Sequence, residues 1–130
     1  MAFTDTRSLV HYVQGNATTA EVNAGEAILE FRANQSIQVV GGEMIARGGN
    51  ATTATSVDLK DTAGTAIVAV ACAVGGLTQD TQLDFTSATN VTLTTYRTPL
   101  TVDKGLKIEV TGADMTVATS VDYYVEYVYV

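Results

Sequence analysis

Apolar and polar residues alternate along most of the chain, and a period of two is typical of β-strands, whose successive side chains face opposite sides of a sheet. In the segment Thr55–Lys60, for example, Val57 and Leu59 share one face while the positions after each of them are polar. Segments that alternate in this way, or that form short apolar runs, occur throughout the chain. They are Arg7–Gln14, the weakest of the set, and Ala27–Ala33, Ile37–Ile45, Thr55–Lys60, Thr65–Val74, Asn90–Arg97, Leu106–Thr111 and Val121–Val130.

Turn-forming residues separate these segments. Asp61–Gly64 lies between two of them and predicts a hairpin, and the adjacent Gly41 and Gly42 inside another predict a bulge or bend. No window of helix-favouring residues sustains a helical spacing of apolar positions, so we expect no helix longer than about two turns. Seven or eight short strands, spaced about ten to fifteen residues apart, predict an all-β fold: an antiparallel β-sandwich of jelly-roll type.

One six-residue sequence, Gly-Asn-Ala-Thr-Thr-Ala, occurs at Gly15–Ala20 and again at Gly49–Ala54. We interpret the two copies as the same loop-into-strand structure used twice, or as chance in a chain rich in Ala and Thr. The other repeat, Ala-Thr-Ser-Val-Asp, has a different separation, so the repeats do not define a solenoid.

Length and composition set the domain organisation. The chain has 130 residues, of which 46% are hydrophobic and 16% are charged, and this suits one folded domain rather than a disordered segment. The alternating pattern is weakest before residue 24. We therefore expect residues 1–23 to form a polar amino-terminal arm and residues 24–130 to form a single sandwich domain.

Charge and hydropathy narrow the range of partners. The net charge is −7 and the chain has no run of basic residues, so we expect neither a nucleic acid nor a membrane as a partner. The most apolar window, Ala66–Val74, is about half as long as a membrane-spanning helix. No basic segment precedes an apolar stretch near Met1, so we expect synthesis in the cytoplasm without an export signal.

Side chains suited to catalysis are few. The chain has one histidine, His11, one cysteine, Cys72, and no tryptophan, so neither an internal disulfide nor a Cys/His zinc site can form. We expect His11 to be a partly buried or interface residue, and Cys72 to be a buried, unreactive one.

Acidic residues in predicted loops could in principle meet in a cleft for glycoside hydrolysis or hold Ca²⁺. They are Asp80, Asp84, Asp103 and Asp114. Acidic loop residues are ordinary on a protein of this net charge, and no calcium-loop motif is present. We therefore expect no catalytic residue, no cofactor and no metal site.

Aromatic and apolar residues near the two ends of the chain are the strongest candidates for contact surfaces. Tyr123, Tyr127 and Tyr129 share one face of the last predicted strand, where such rings suit either the core or a subunit interface. The amino-terminal arm carries apolar side chains whose exposure in a free tail would cost about 1.5 to 3 kcal/mol each. These arm residues are Phe3, Leu9, Val10, Tyr12 and Val13.

Taken as a whole, the chain resembles the small β-rich decoration, or cement, proteins that coat the capsids of tailed bacteriophages. The shared features are a start at Met1 without an export signal, a short polar arm, strands rich in Gly, Ala and Thr, few charges and an aromatic last strand. Within the arm, His11–Asn16 (HYVQGN) is similar to the HY-x-x-QGN stretch of lambda-like decoration proteins, with one residue fewer between Tyr12 and Gln14.

This resemblance implies a structural virion protein that binds the exterior of an expanded capsid and ties its subunits together. It implies two partners: the major capsid protein, and further copies of this chain in a homotrimer or another small oligomer. It also implies that the arm, here Ala2–Gln14, adds a strand to the sheets of the capsid through the apolar arm residues named above.

An alternative class is a carbohydrate- or receptor-binding β-sandwich, such as a module of a phage fibre or an adhesin. Sugar-binding surfaces combine exposed Trp or Tyr with Asn, Asp and Gln. This chain has six Tyr but no Trp, which favours the structural class over the sugar-binding one. A hydrolytic enzyme is a third class, and it rests only on the acidic loops.

Overall fold

A computed structural model describes residues 9–32, 35–72, 76–87, 89–102 and 104–130. In these ranges the chain forms ten β-strands and one short helix, α1 (Thr19–Ala24). The strands are β1 (His11–Thr18), β2 (Ala27–Glu30), β3 (Gln35–Arg47), β4 (Ala51–Asp61), β5 (Ala66–Ala71), β6 (Leu83–Asp84), β7 (Val91–Leu93), β8 (Leu100–Val102), β9 (Gly105–Val117) and β10 (Ser120–Tyr129). None of the described helical residues belongs to a helix long and apolar enough to cross a membrane.

The strands form two antiparallel sheets. Sheet I has the order β1-β10-β3, and both β6 and β8 pair with β3, at different positions along it. Sheet II has the order β2-β9-β4-β5-β7. When the short strands β6 and β7 are set aside, the remaining eight strands have the order β1-β10-β3-β8 in one sheet and β2-β9-β4-β5 in the other, which is the order of a jelly roll. The predicted all-β antiparallel sandwich is confirmed, with ten strands where seven or eight were expected.

The core lies between the inner faces of the two sheets. Val57 and Leu59 of β4 are fully buried there, together with Met44 of β3 and Val125 of β10. These residues recur with a period of two along their strands, so the polar positions between them lie on the outer faces of the sandwich.

The two local features that the sequence predicted within the sheets are present. β4 and β5 form a hairpin in which the backbone N–H of Thr65 donates to the carboxylate of Asp61, at 2.8 Å. In β3 the pairing with β10 shifts register near the adjacent glycines. A Cβ atom on Gly42 would lie 2.4 Å from the carbonyl oxygen of Tyr124, so only glycine fits this bulge.

The amino-terminal segment joins the sandwich from His11 onward. β1 pairs with β10 over eight consecutive residues, and α1 packs on β9 after it. The strand predicted at Arg7–Gln14 therefore begins and ends later than expected, at His11 and Thr18. The arm boundary expected after residue 23 does not coincide with any break in sheet I, because β1 is part of that sheet.

Candidate interaction surface

The residues considered for catalysis are distributed over the surface and the core. Asp80 pairs with Arg47, Asp84 accepts hydrogen bonds from Thr86, and Asp114 is exposed on β9. Asp103 lies outside the described residues. Among the side chains that the structure describes, no three His, Cys, Asp or Glu groups converge on a point where a metal ion could bind.

His11 lies in an aromatic cluster between the sheets. Its ring stacks on Tyr127 with centroids 5.5 Å apart and meets the edge of Tyr129 at 5.0 Å, and Phe31 contacts both tyrosines. Tyr127 is only 6% exposed, and its burial, with a smaller contribution from Tyr129, raises the pKa of its phenol to about 12. Tyr127 is thus a core residue of the single chain.

The other two tyrosines of the predicted interface set are half-buried. Tyr123 and Tyr129 pack against the core without belonging to its fully buried part. Burial raises the pKa of Tyr123, with Glu21 nearby as a second cause. The Tyr123 ring crosses over Gly15, where an added Cβ would lie 2.6 Å from the phenol oxygen.

Cys72 is half-buried beside the core, not fully buried as expected. Desolvation raises the pKa of its thiol to about 11, and the carboxylate of Asp58 adds to the shift. The thiol is therefore protonated at neutral pH and is a weak nucleophile.

Three of the predicted arm residues are exposed: Leu9 and Val10 lie just before β1, and Tyr12 lies at its start. The exposed fractions are 48% for Leu9, 55% for Val10 and 61% for Tyr12, whereas Val13 packs against the core. Phe3 lies outside the described residues. Solvent-exposed apolar side chains that lie close together in sequence, as these do, indicate a contact surface more strongly than scattered ones do.

Among the described strands, β1 is the longest of those that lie at the edge of a sheet. β1 has eight residues and pairs with β10 alone among the described strands. The other strands at sheet edges have two to four residues. From Leu9 to Ala20 the sequence contains no Asp, Glu, Lys, Arg or Pro. Charged side chains, proline and short length are the usual means by which proteins block strand addition, and β1 has none of them.

A shallow depression, here called the outer groove, lies on the outer face of sheet I beside this edge. Its volume is about 500 Å³. Three strands form its floor: β1, β10 and β3. The residues that line it are Gln14, Gly15, Asn16, Glu43, Ile45, Asp122, Tyr123 and Tyr124.

Polar contacts fix one end of the outer groove. The Asn16 side-chain amide donates to the hydroxyl of Ser120 at 2.8 Å and to the carboxylate of Asp122 at 2.7 Å. Arg47 donates to the second oxygen of Asp122 at 2.7 Å and also pairs with Asp80. The hydrogen bond from Asn16, followed by the contact with Arg47, lowers the pKa of Asp122, so this carboxylate is ionised at neutral pH.

The outer groove was not predicted from the sequence. It requires the register that places Asn16 opposite Asp122, residues that are 106 positions apart. The only local signal was the presence of Tyr124 on the face opposite Tyr123 and Tyr127. The position of Tyr124 does not indicate which strands lie beside the last strand in the sheet.

Comparison with known proteins identifies no family for this chain. No protein-family model matches the chain, and no curated protein matches it. A chain in the structure of infectious bursal disease virus, Gx strain, is similar over 93% of this chain, with 18% identity and a TM-score of 0.30. The similar region spans 32% of the viral chain. The neighbour is viral, but a likeness this weak establishes neither family nor function.

Proposed function

We propose that the protein is a structural component of a virion, a decoration protein that binds the exterior of a phage capsid and stabilises it. The observation that carries the proposal is the eight-residue edge of β1, which no other described strand pairs with. A domain that acts alone protects such an edge, because its unpaired N–H and C=O groups otherwise recruit another strand. A protein that assembles on a scaffold uses the edge as its binding site.

Strand addition at β1 suits the major capsid protein as the partner. Each backbone hydrogen bond gained contributes about 0.5 to 1.5 kcal/mol and needs no charged surface, in keeping with the uncharged sequence of β1. Burial of Leu9, Val10 and Tyr12 against the capsid adds about 1.5 to 3 kcal/mol for each side chain. The similarity of His11–Asn16 to the arm of lambda-like decoration proteins points to the same segment.

Oligomerisation would strengthen this contact. In a homotrimer, three β1 edges would bind one shell, and the second and third contacts would form at a high effective concentration. Tyr123 and Tyr129, which are half-buried in the single chain, are the side chains that we propose for the contact between copies. Size-exclusion chromatography with light scattering measures the stoichiometry directly.

The test of the proposed function is a charge placed on the edge. We expect the double variant Val10→Lys, Tyr12→Lys to keep its fold and to lose at least about tenfold in affinity for capsids of the virus that encodes the chain, because each Lys would be desolvated on binding. Co-sedimentation with capsids stripped of their decoration protein measures the affinity, and circular dichroism checks the fold.

The matched control is Leu93→Lys. Leu93 is also an exposed apolar residue on an edge strand, 47% exposed on β7 of sheet II. We expect this variant to bind capsids like the unmodified protein. Full capsid affinity in the β1 variant would show that β1 is not the contact, and a full-length protein that never associates with capsids would reject the proposed function.

A further inference from the structure

The outer groove has features that strand addition at β1 does not use. Side chains from β1, β10 and β3 form rows across the outer face of sheet I, as the register requires. Gln14, Tyr124 and Glu43 form one row, and Asn16, Asp122 and Ile45 form the next. Neighbouring strands lie about 4.8 Å apart, and alternate residues along a strand lie about 6.7 Å apart. The β10 side chain of each row therefore has a close neighbour on either side.

Tyr124 stands at the centre of this array beside a second ring. Tyr12 contacts Tyr124 with centroids 5.6 Å apart and planes tilted by 31°. Glu126 leans over Gly41 on the neighbouring strand, where an added Cβ would lie 2.7 Å from a carboxylate oxygen of Glu126. The two rings form an aromatic strip on a sheet face that is otherwise polar.

Hydrogen-bonding groups flank the strip on both sides. The amide of Asn16 is held through both of its N–H contacts, so its carbonyl oxygen is left to accept. Within the described residues, the Glu43 carboxylate makes neither a side-chain hydrogen bond nor an ion pair, and the Gln14 side chain is exposed. The groove therefore offers positioned acceptors and one further amide that both donates and accepts.

We infer that the outer groove binds a neutral saccharide, with the Tyr124 ring under one face of the sugar and Gln14, Asn16 and Glu43 bound to its hydroxyl groups. A pyranose has an apolar face of C–H groups, which suits the electron-rich face of an aromatic ring, and hydroxyls at its edge that both donate and accept. The alternation of ring and polar groups in the groove matches that distribution. This inference adds a binding site to the proposed structural role and gives a physical basis to the alternative class of carbohydrate-binding modules.

The charges around the groove define which saccharides fit. Glu43, Glu126 and Asp122 place three carboxylates around Tyr124, and Arg47, a cation at the end of the groove, already contacts Asp122 and Asp80. An acidic sugar would bring a fourth negative charge next to these groups. A neutral sugar avoids that repulsion and still satisfies the acceptors.

A basic side chain is the competing occupant, because carboxylates beside an aromatic ring also attract cations. One observation favours the sugar: the paired rings with flanking amides form a surface wider than one ammonium group covers.

The test is a titration of the isolated ¹⁵N-labelled protein by NMR with lactose, cellobiose, maltose and chitobiose in turn, and with tetralysine as the competing probe. We expect at least one disaccharide to bind with a Kd of about 1 to 10 mM and to shift the amide signals of Gln14, Asn16 and Tyr124. Tyr124→Ala should weaken that binding by at least about tenfold, since the ring platform is removed.

A control variant and two contrary outcomes make the test decisive. A Thr92→Ala variant on sheet II should bind the sugar normally, and an unchanged spectrum elsewhere checks that Tyr124→Ala still folds. Shifts in the groove with tetralysine alone would replace the inference with a basic partner. The absence of shifts with all four disaccharides at about 50 mM, well above the expected Kd, would overturn it without affecting the capsid experiment.

Discussion

Asp58 of sheet II and Asp122 of sheet I both lie on the outer face of a central strand, and the two carboxylates have different surroundings. In sheet II, the carboxylate of Asp58 on β4 accepts from the hydroxyls of Ser56 and Thr111 at 2.6 and 2.5 Å. The ammonium group of Lys60 lies 3.8 Å away, and the Asp58 side chain is 6% exposed. In sheet I, Asp122 on β10 also accepts from an uncharged donor and a cation, but its side chain is 35% exposed.

The difference indicates separate roles for the two outer faces. On sheet II, Lys60 also contacts Glu109, which in turn contacts Lys107, so the charges of this face neutralise one another. On sheet I the corresponding positions leave Glu43, Gln14 and two tyrosine rings without such partners in the described part of the chain. We call the outer face of sheet II closed, because its charged side chains pair with one another. The outer face of sheet I keeps polar and aromatic groups that can bind a ligand.

The largest expected effect is that of removing the buried carboxylate of sheet II. Asp58→Ala should lower the free energy of unfolding by about 2 to 4 kcal/mol, because two hydroxyls and an ammonium group lose their acceptor in a buried place. Urea denaturation measures this loss. Asp58→Asn keeps one acceptor oxygen and should lower the stability less than the alanine variant does. A loss below about 0.5 kcal/mol for Asp58→Ala would mean that the outer face of sheet II is not closed as described.

The matching change on sheet I should cost little stability. Asp122→Ala should lower the free energy of unfolding by less than about 1 kcal/mol, because exposed pairs are screened by solvent. The pKa of Asp122 is lowered in the folded protein from its ordinary value of 3.8. Its stabilising effect is therefore complete above about pH 4 and is lost as the pH falls through the lowered pKa.

NMR titration of the carboxylate checks this pH dependence. The midpoint for Asp122 should lie below 3.8, and Arg47→Gln should raise it. A midpoint at or above the ordinary value would show that Asn16 and Arg47 do not stabilise the ionised form.

The two copies of one short sequence extend the comparison, because one copy ends β1 of sheet I and begins α1, whereas the other leads into β4 of sheet II. In Gly15–Ala20, Thr18 caps α1: its hydroxyl accepts from the N–H of Glu21 at 3.2 Å, and its own N–H donates to the Glu21 carboxylate at 3.0 Å. In Gly49–Ala54, Thr52 donates to the carbonyl oxygen of Thr116 across the strands.

Thr18→Ala should therefore cost about 1 kcal/mol, the usual value of a helix cap. Thr52→Ala should cost about 0.5 kcal/mol or less, because its hydrogen bond is exposed. Thermal denaturation of both variants gives the comparison. Equal losses of stability in the two variants would mean that the capping box contributes no more than the exposed hydrogen bond of Thr52.

These copies also mark where sequence-based prediction succeeds and fails. The hairpin around Asp61 and the bulge at Gly42 were predicted because a turn or a close approach of backbones leaves a local signature. Of the two interpretations of the repeat, a shared loop-into-strand structure does not hold, and chance in a chain rich in Ala and Thr is the one that is left. The deciding residue lies outside the repeat: Glu21 follows the first copy and completes a capping box, a signal that the sequence did contain.

The outer groove depends on a different kind of information. Tyr124 meets Gln14 on one side and Glu43 on the other only because β10 pairs with both β1 and β3 in a fixed register. Such pairings between distant segments are set by the packing of the whole sandwich, and alternation within a strand does not encode them. The tyrosines of β10 could be placed on a strand, but their neighbours could not.

The smallest expected effect concerns Cys72, whose thiol reports on the closed face of sheet II. Burial and then the nearby carboxylate of Asp58 raise the pKa of the thiol to about 11. Alkylation by iodoacetamide should therefore be slow at neutral pH, and its rate should keep rising until the pH approaches that value, because only the thiolate reacts. Asp58→Asn should lower the apparent pKa, whereas Asp122→Asn on the other sheet should leave it unchanged. Rapid alkylation at pH 7 in the folded protein, with a midpoint near that of an ordinary thiol, would contradict both the burial of Cys72 and the influence of Asp58 on it.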